Sequence, residues 1–378
     1  MKLSDLDTPN LILDRSVLAR NVDAMNQRAQ SLGVRLRPHM KTAKSVEVAR
    51  LALGAAVGPI TVSTLKEAEY FADAGYTDIL YAVGIVPSKL GRAAALRRRG
   101  VDLAVVTDRV DIARAVSAHC VQLGIDLDVL IELDTGEHRA GLIPDDPRLL
   151  ELGRALYELP GLSLRGVLTH AGHSYQCRSI EQVQAVAEHE RSASVAAAER
   201  LRSAGLPCPV VSVGSTPTAV HARNLDGVTE LRCGVYMFGD VFQSEIHSCG
   251  RGDIAVSVLA SFIGHREDLD CALIDAGALA LSKDRSTAAE GLPEDIGFGL
   301  VMDAQARERI GTVHVSRVFQ EHGLLSSHGP FPFERLPVGS KVRVFPNHAC
   351  LTAAMYDRYQ VVEGGGEVIA AWSRINGW

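Results

Sequence analysis

The stretch VDLAVVTDRVDIARAVSAHCVQLG, residues 101–124, shows the pattern that decides the fold. An apolar, β-branched run at its start is followed at once by a segment whose apolar residues recur with helical spacing. A strand followed directly by a helix is the repeating unit of folds with a parallel sheet. The same alternation continues on both sides of this stretch, from residue 16 to about residue 240.

Eight short β-rich runs lie in this part of the chain, separated by helical segments. They are VRLR 34–37, ITVS 60–63, DILYAVG 78–84, VDLAVVTD 101–108, DVLIELD 128–134, LRGVLTH 164–170, VVSVG 210–214 and TELRCG 229–234. Eight strands, each followed by a helix, is the count of a TIM-type (β/α)8 barrel. An open doubly wound sheet is the alternative, and we favour the barrel.

The predicted secondary-structure pattern changes after residue 250, where β-like runs follow one another without long helices. This pattern predicts a C-terminal antiparallel β domain, so that the whole chain is of the α/β class with a second, smaller β domain. We expect the barrel at residues 10–242 and the β domain at 243–378, with residues 1–9 as a candidate for an additional strand of the β domain. The run PNLILD at 9–14 is a candidate for that strand.

Composition limits the classes of function. The chain has 378 residues and a net charge of −6, which argues against nucleic acid as a partner because phosphate binding needs a basic excess. Its seven cysteines are scattered without a C-x-x-C spacing, which favours a reduced, intracellular protein. No run of eighteen apolar residues occurs, so we expect no membrane association and a cytoplasmic location.

The segment RLRPHMKTAKS, residues 35–45, is unusually polar for the first strand of a barrel. Arg35, Arg37, His39 and Lys41 share one parity, so we expect all four to point toward the barrel axis. Lys41 would then lie at the carboxyl end of the strand, where barrel enzymes place their chemistry. An amine among other cations loses its proton more readily, as Schiff-base chemistry requires. Alternatively, Lys41 simply begins the next helix.

The motif RPHMKTAKS resembles the cofactor-lysine motif of the D-serine dehydratase and D-threonine aldolase family, fold type III enzymes with an alanine-racemase-like fold. The resemblance implies that Lys41 is catalytic and carries pyridoxal 5'-phosphate (PLP). It also implies a (β/α)8 barrel followed by a β domain over the whole chain, a small-molecule D-amino acid substrate and a homodimer.

A phosphate site is predicted after the seventh strand. VSVGSTPTAV at 211–220 places Gly214, Ser215 and Thr216 between that strand and a helix, where backbone N–H groups can bind an anion. A Gly-Ser-Thr turn that merely caps a helix is equally compatible with the pattern. The resemblance implies that the cofactor phosphate binds there and at Gly234 in RCGVY.

Four further residues are assigned to the cofactor by the resemblance alone. Arg232 in LRCGVYMFG is similar to the arginine that meets the pyridine nitrogen in alanine racemases, and Arg139 in TGEHRAG to the arginine at the phenolic oxygen. The stretch THAGHSYQ resembles the one that supplies a ring-packing His170 and a catalytic, substrate-side Tyr175.

His348 and Cys350 in KVRVFPNHAC form a donor pair of the zinc type, and in an extended chain both would face the same way. Two protein ligands suit a catalytic ion that also binds water and substrate. A buried cysteine beside a hydrogen-bonded histidine is the simpler interpretation. The resemblance implies instead a site for a divalent metal (Zn, or Mn, Mg or Co), and a cysteine as second ligand favours the dehydratase branch.

The sequence therefore predicts a PLP- and metal-dependent lyase that removes water from D-serine or D-threo-3-hydroxyaspartate, giving a 2-oxo acid and ammonia. The first alternative is an aldolase of the D-threonine or 3-hydroxy-D-aspartate type, which gives glycine and an aldehyde. The second is an amino-acid racemase. A non-catalytic cofactor carrier is a further possibility, which the β domain and the His-Cys pair disfavour.

Overall fold

The computed structural model describes residues 1–54 and 57–378, which form two compact units. The barrel unit comprises Ala24–Lys41, Ala49–Gly234 and Gly377–Trp378, and the sheet unit comprises Met1–Asp23, Thr42–Val48 and Val235–Asn376. The helices are α1 Arg15–Ser31, α2 Val46–Ala52, α3 Leu65–Asp73, α4 Leu90–Arg98, α5 Val110–Leu123, α6 Arg148–Glu158, α7 Ile180–Ser203, α8 Thr216–His221, α9 Val241–Glu245, α10 Ala278–Leu281 and α11 Ala349–Ala353.

All eight predicted strands of the barrel unit are present, and every neighbouring pair is parallel. They are β2 Arg35–Leu36, β3 Ile60–Val62, β4 Asp78–Gly84, β5 Asp102–Thr107, β6 Leu127–Leu133, β7 Leu162–Thr169, β8 Val210–Val213 and β9 Glu230–Leu231. Their order is β2-β9-β8-β7-β6-β5-β4-β3. A layer of apolar side chains from β4 to β7 packs together: Leu80, Val106, Leu130 and Leu168.

The sheet of the barrel unit closes through the segment that follows β2. His39 forms a parallel bridge with Thr61 of β3. The Met40 N–H donates to the Thr61 carbonyl at 2.8 Å, and the Thr61 N–H donates to the Pro38 carbonyl at 3.0 Å. The two ends of the eight-stranded sheet are thereby joined, which confirms the (β/α)8 barrel and excludes the open doubly wound sheet.

An ion network connects β9 and β4 to β2 and the residue that follows it. Arg37 Nε donates to Glu230 Oε2 at 2.9 Å and Arg37 Nη1 to Asp78 Oδ1 at 2.6 Å. Arg35 also pairs with Glu230, at 3.0 Å, although its side chain is 52% exposed. This exposure arises because Arg35 stands at the amino end of a strand of only two residues, where the barrel opens to solvent.

The sheet unit contains nine strands: β1 Asn10–Asp14, β10 Val256–Arg266, β11 Cys271–Ile274, β12 Leu300–Asp303, β13 Arg309–Val318, β14 Gly323–Ser326, β15 Lys341–Phe345, β16 Arg358–Val362 and β17 Val368–Ser373. Their order is β11-β14-β13-β12-β15-β10-β1-β16-β17, with a further pairing of β10 with β11. Their pairings are antiparallel except that of β1 with β16. The predicted antiparallel β domain is confirmed, and PNLILD does supply one of its strands.

β12 and β14 have only four residues each and are defined mainly by their neighbours, so the sequence pattern does not mark them. The division of the chain at residues 242 and 243 stays a prediction. Within the described ranges, the structure has no helix of the length and apolar character that crossing a membrane requires.

Candidate active site

Lys41 lies in the turn that follows β2, at the carboxyl end of the barrel strands. Backbone hydrogen bonds hold the chain up to this point, because Arg37 N–H donates to the Leu231 carbonyl at 2.8 Å and His39 N–H to the Cys233 carbonyl at 3.0 Å. The side chain of Lys41 is exposed. The lysine is therefore held by the barrel at the end where such folds place their chemistry, outside the strand rather than within it.

Two neutral histidines accompany Lys41. Burial, with Lys41, Arg139 and Arg232 nearby, lowers the pKa of His170 to about 3. Burial, with Lys41 and Arg232, also lowers the pKa of His39 well below its ordinary value. His170 Nδ1 lies 3.3 Å from the Gly214 carbonyl, which can only accept, so Nδ1 carries the proton and Nε2 keeps its lone pair. The structure thus places Lys41, Arg139 and Arg232 close enough to His170 for their charges to act on its imidazole.

Arg232 is buried and held by two acceptors within the barrel. Its Nε donates to Ser212 Oγ at 2.8 Å, and one Nη donates to the Thr169 carbonyl. Burial lowers the pKa of Arg232, while the negative charges of Glu230 and others act against that shift. The hydroxyl of Ser212 in turn donates to Glu230 Oε1 at 2.8 Å. The guanidinium therefore has a fixed orientation.

The turn after β8 has the shape expected of an anion site, but its amides are partly engaged. Gly214 has φ +123°, and a Cβ there would lie 3.2 Å from the Arg232 backbone nitrogen, so only glycine fits. The Gly214 N–H donates to Glu190 Oε1, and the Ser215 N–H donates to Thr218 Oγ1 at 3.0 Å. Ser215 caps α8, and Thr216 is its first residue. The amides of Gly214 and Ser215 therefore already have acceptors, and the Ser215 hydroxyl lies 2.8 Å from Ser174 Oγ.

Glu190 is a functional candidate that the sequence analysis missed. It comes from the middle of α7 and is buried, and its Oε1 accepts hydrogen bonds from Ala171 N–H at 3.1 Å and Gly214 N–H at 3.0 Å. One carboxylate oxygen therefore ties the loop after β7 to the turn after β8. The only signal in the sequence is that this glutamate falls on the apolar side of α7, which faces the interior.

The other sequence-predicted residues lie at the same end of the barrel unit. The Arg139 side chain is 56% exposed and pairs with Glu137 at 3.3 Å. Tyr175 lies in a short turn of 3-10 helix, with its ring centroid 6.3 Å from that of His170. Gly234 is buried three residues after β9 ends. Cations, two neutral imidazoles and a glycine turn form a donor set that fits a phosphate-bearing aldehyde such as PLP.

His348 and Cys350 belong to the sheet unit, where the chain enters α11. The extended conformation expected for them holds for His348, which precedes the helix with φ −135° and ψ 99°, and is wrong for Cys350, which lies in the first turn of α11. Even so, the two side chains interact with each other. Cys350 Sγ also donates to Thr42 Oγ1 at 3.3 Å. The helix start, and not a strand, brings the imidazole and the thiol together.

Carboxylates surround this pair. His348 Nδ1 lies 3.3 Å from Asp284 Oδ2, and Asp240 Oδ2 accepts from the Ala349 N–H at 3.0 Å. Burial acts to lower the pKa of His348, but Asp284 and Cys350 outweigh it and raise the pKa to about 11. Burial raises the pKa of Asp240 to about 6, although His348 acts against that shift. The environment thus favours a positive charge.

Asn347 fixes the loop that carries the pair. Its side-chain amide is buried and donates to the carbonyls of Asp284 at 3.0 Å and Gly297 at 2.7 Å. Across residues 1–54 and 57–378, no group of three or more His, Cys, Asp or Glu side chains is arranged to hold a metal ion. An imidazole and a thiol with a carboxylate behind the imidazole are nevertheless a donor set that fits a divalent ion of the zinc type.

Comparisons with known families cover nearly the whole chain. The alanine racemase N-terminal domain family matches residues 13–241, and a serine dehydratase domain family matches residues 255–362. The chain is 49% identical to a D-threo-3-hydroxyaspartate dehydratase of Delftia sp. (strain HT23), over 100% of this chain and 99% of that protein. It is 33% identical to a D-serine dehydratase of Dictyostelium discoideum, over 100% and 98% of the two chains.

Solved structures of similar sequence superpose closely on this chain. The D-threo-3-hydroxyaspartate dehydratase from Delftia sp. HT23 superposes with a TM-score of 0.95 at 48% identity, covering 100% of both chains. A cysteine-to-alanine mutant of a D-threo-3-hydroxyaspartate dehydratase, described as the metal-free form, superposes with a TM-score of 0.96 at 48% identity and covers 100% of both chains.

Proposed function

Because this chain belongs to the D-serine dehydratase and D-threonine aldolase family of PLP-dependent, alanine-racemase-like lyases, we propose that it removes water from a D-β-hydroxy amino acid with the help of a divalent metal. The products are a 2-oxo acid and ammonia. The observation that carries the proposal is the position of Lys41 at the carboxyl end of the barrel, beside two neutral histidines and two arginines.

Lys41 would hold PLP through its amine and, once released, take the α-proton of the substrate. Bound PLP supplies an electron sink for the pair that the departing α-proton leaves behind. His170, held neutral and oriented by the Gly214 carbonyl, would pack against the ring without adding a charge. Arg232, Arg139 and Tyr175 remain our proposals for the ring nitrogen, the phenolic oxygen and the substrate side. Gly214, Ser215, Thr216 and Gly234 remain our proposals for the phosphate.

His348 and Cys350 would hold the metal, which supplies a Lewis acid for the β-hydroxyl of the substrate. With Nδ1 of His348 engaged by Asp284, Nε2 is the nitrogen left for an ion. Two solved structures of D-threo-3-hydroxyaspartate dehydratase support this assignment: one is a histidine-to-alanine mutant, and the other is a cysteine-to-alanine mutant in the metal-free form. The two mutated positions are two residues apart, as His348 and Cys350 are here.

We propose D-threo-3-hydroxyaspartate as the preferred substrate, because identity to the dehydratase of that name is 49%, against 33% for a D-serine dehydratase. The aldolase alternative rests on 30% identity to a 3-hydroxy-D-aspartate aldolase of Paracoccus denitrificans. The homodimer and the cytoplasmic location also remain proposals. Light scattering of the purified protein, coupled to gel filtration, tests the first.

The decisive experiment is a panel of D-hydroxy amino acids with identification of products, run with and without a chelator. We expect ammonia and a 2-oxo acid, and loss of activity on chelation. Glycine without a 2-oxo acid would establish the aldolase, and chelator-insensitive interconversion of enantiomers would establish a racemase.

Borohydride reduction followed by peptide mapping tests Lys41 separately. We expect a pyridoxyl group on Lys41 in the wild type and in the control Lys66→Ala, and none in Lys41→Ala. A pyridoxyl group found elsewhere in the wild type would contradict the assignment.

A further inference from the structure

The sheet unit contains a cavity of about 420 Å³ that the proposed function does not use. Its base is formed by Arg343 and Phe345 of β15 and by Leu300 and Met302 of β12, and Arg307 stands at its exposed rim. A volume of this size lies within the range of small-molecule sites, roughly 300–1,000 Å³. The cavity combines an apolar wall with arginines, which together are the chemistry of a site for an anion with an apolar body.

Arg343 is the unusual residue at the base. It lies on the central strand β15, between β10 and β12, and is only 2% exposed. Its Nε donates to Ser257 Oγ at 2.7 Å, and its guanidinium carbon lies 5.6 Å from the centroid of the Phe345 ring. A guanidinium has five N–H donors, so four of them remain for another acceptor. In the part of the chain that the structure describes, Arg343 forms no ion pair with a carboxylate.

A buried cation without a paired anion is unfavourable, because burial removes the hydration of the charged form. Burial lowers the pKa of Arg343 to about 10, although the more distant charges of Asp14 and Asp303 act against the shift. An anion in the cavity would offset the lost hydration and satisfy the remaining donors together.

The other arginines of the cavity divide into two kinds. Arg309 and Arg251 both pair with Glu294, at 2.5 and 3.1 Å, so their charges are largely compensated. The guanidinium of Arg307 has no ion pair among the described residues, and it is exposed. The cavity therefore offers one unpaired cation at its base and one at its rim.

We propose that this cavity binds a small organic carboxylate, held by the Nη atoms of Arg343, with the apolar part of the ligand against Leu300, Met302 and Phe345. The planar fork of a guanidinium matches the two oxygens of a carboxylate. An inorganic phosphate would leave the apolar wall unused. Asp14 also lines the cavity, so a dianion would meet a like charge that a single carboxylate meets less strongly.

The test is titration calorimetry of the cofactor-loaded protein with benzoate, with benzamide as the neutral analogue and inorganic phosphate as the second anion. We expect saturable benzoate binding that benzamide does not reproduce and that exceeds phosphate binding. Arg343→Met should weaken benzoate at least ~10-fold, because a charged hydrogen-bond partner is lost, and Arg307→Met should weaken it by roughly 2- to 5-fold. The matched control Arg335→Met, an exposed arginine paired with Glu308 outside the cavity, should leave binding unchanged.

Each remaining outcome decides against the proposal. Benzoate that binds Arg343→Met as tightly as the wild type occupies another site, such as the candidate active site. Benzamide binding of equal strength would show that the charge is not recognised, and tighter phosphate binding would assign the cavity to another class of anion. If Arg343→Met does not fold, Arg343→Lys and Arg307→Met replace it. Both should bind benzoate more weakly than the wild type, because lysine lacks the planar fork of arginine and methionine lacks its charge. Unchanged affinity in both variants would contradict the proposal. Absence of any saturable binding would mean that the cavity holds water only.

Discussion

Nε of Arg37 lies 2.9 Å from Oε2 of Glu230, and both side chains are buried inside the barrel unit. Replacing Glu230 removes the buried carboxylate that faces Arg37 and leaves Arg37 with only the more exposed Asp78 as an ion-pair partner. We therefore expect Glu230→Gln to lower the free energy of unfolding by roughly 1.5–3 kcal/mol, the range of a lost hydrogen bond to a charged group. Urea unfolding followed by circular dichroism measures the change. Glu69→Gln, in the exposed pair with Arg92, is the matched control and should change stability by about 1 kcal/mol or less.

The same pair predicts a pH dependence. Burial would raise the pKa of Glu230, but Arg37 outweighs it and the pKa lies below its ordinary value of 4.5. The unfolded chain therefore takes up a proton at higher pH than the folded chain, so the pair's contribution is present above pH 4.5 and declines as the pH falls through the folded value. We expect the stability difference between the wild type and Glu230→Gln to shrink in acid. A difference that grows in acid would contradict this origin.

His170 should not titrate in the physiological range. Its pKa of about 3 lies below the ordinary 6.5, so the folded protein keeps the imidazole neutral while the unfolded chain becomes protonated. This residue therefore lowers stability progressively as the pH falls below 6.5. In NMR spectra we expect constant ring C–H shifts for His170 between about pH 5 and 8, whereas an exposed histidine titrates near its unperturbed value.

Glu190 should act on cofactor affinity by positioning the turn at Gly214. Glu190→Ala leaves the amides of Ala171 and Gly214 without their acceptor, so we expect PLP to bind roughly 10-fold more weakly. Absorbance titration of the apo-protein with PLP measures the affinity. Glu199→Ala, an exposed glutamate on the same helix, is the control. Glu190→Gln keeps an acceptor oxygen and should rescue most of the loss; a variant as weak as Glu190→Ala would show that the charge, and not the position, matters.

Asp284 should act on metal affinity through His348. Asp284→Asn removes the charge that orients and polarises the imidazole, and we expect about 10-fold weaker binding of a divalent metal. Competition with a chromogenic chelator measures the affinity without reference to turnover. Asp268→Asn, an exposed aspartate paired with Arg266, should bind metal like the wild type. Equal metal affinity in Asp284→Asn and Asp268→Asn would show that Asp284 does not contribute to metal binding.

Several features of the fold and site were predictable because they depend on local pattern. The strands of the barrel show themselves as short apolar runs, and DILYAVG was predicted to the residue as Asp78–Gly84. The position of Lys41 at a strand end follows from counting alternate side chains. His348 and Cys350 were identified as a pair, although Cys350 was expected in an extended chain and lies in a helix.

The sequence by itself determined the order of strands and helices, and with it the end of the barrel that carries Lys41, because hydrophobic periodicity and turn residues act over a few neighbours. Only the tertiary structure decided that Glu190 supports Gly214, that Asp284 lies behind His348, and that Arg343 is buried rather than exposed on its strand. The contact between Glu190 and Gly214 joins residues 24 positions apart in the chain, and that between Asp284 and His348 joins residues 64 positions apart. No local preference encodes such distances, since the packing of whole strands and helices brings the partners together.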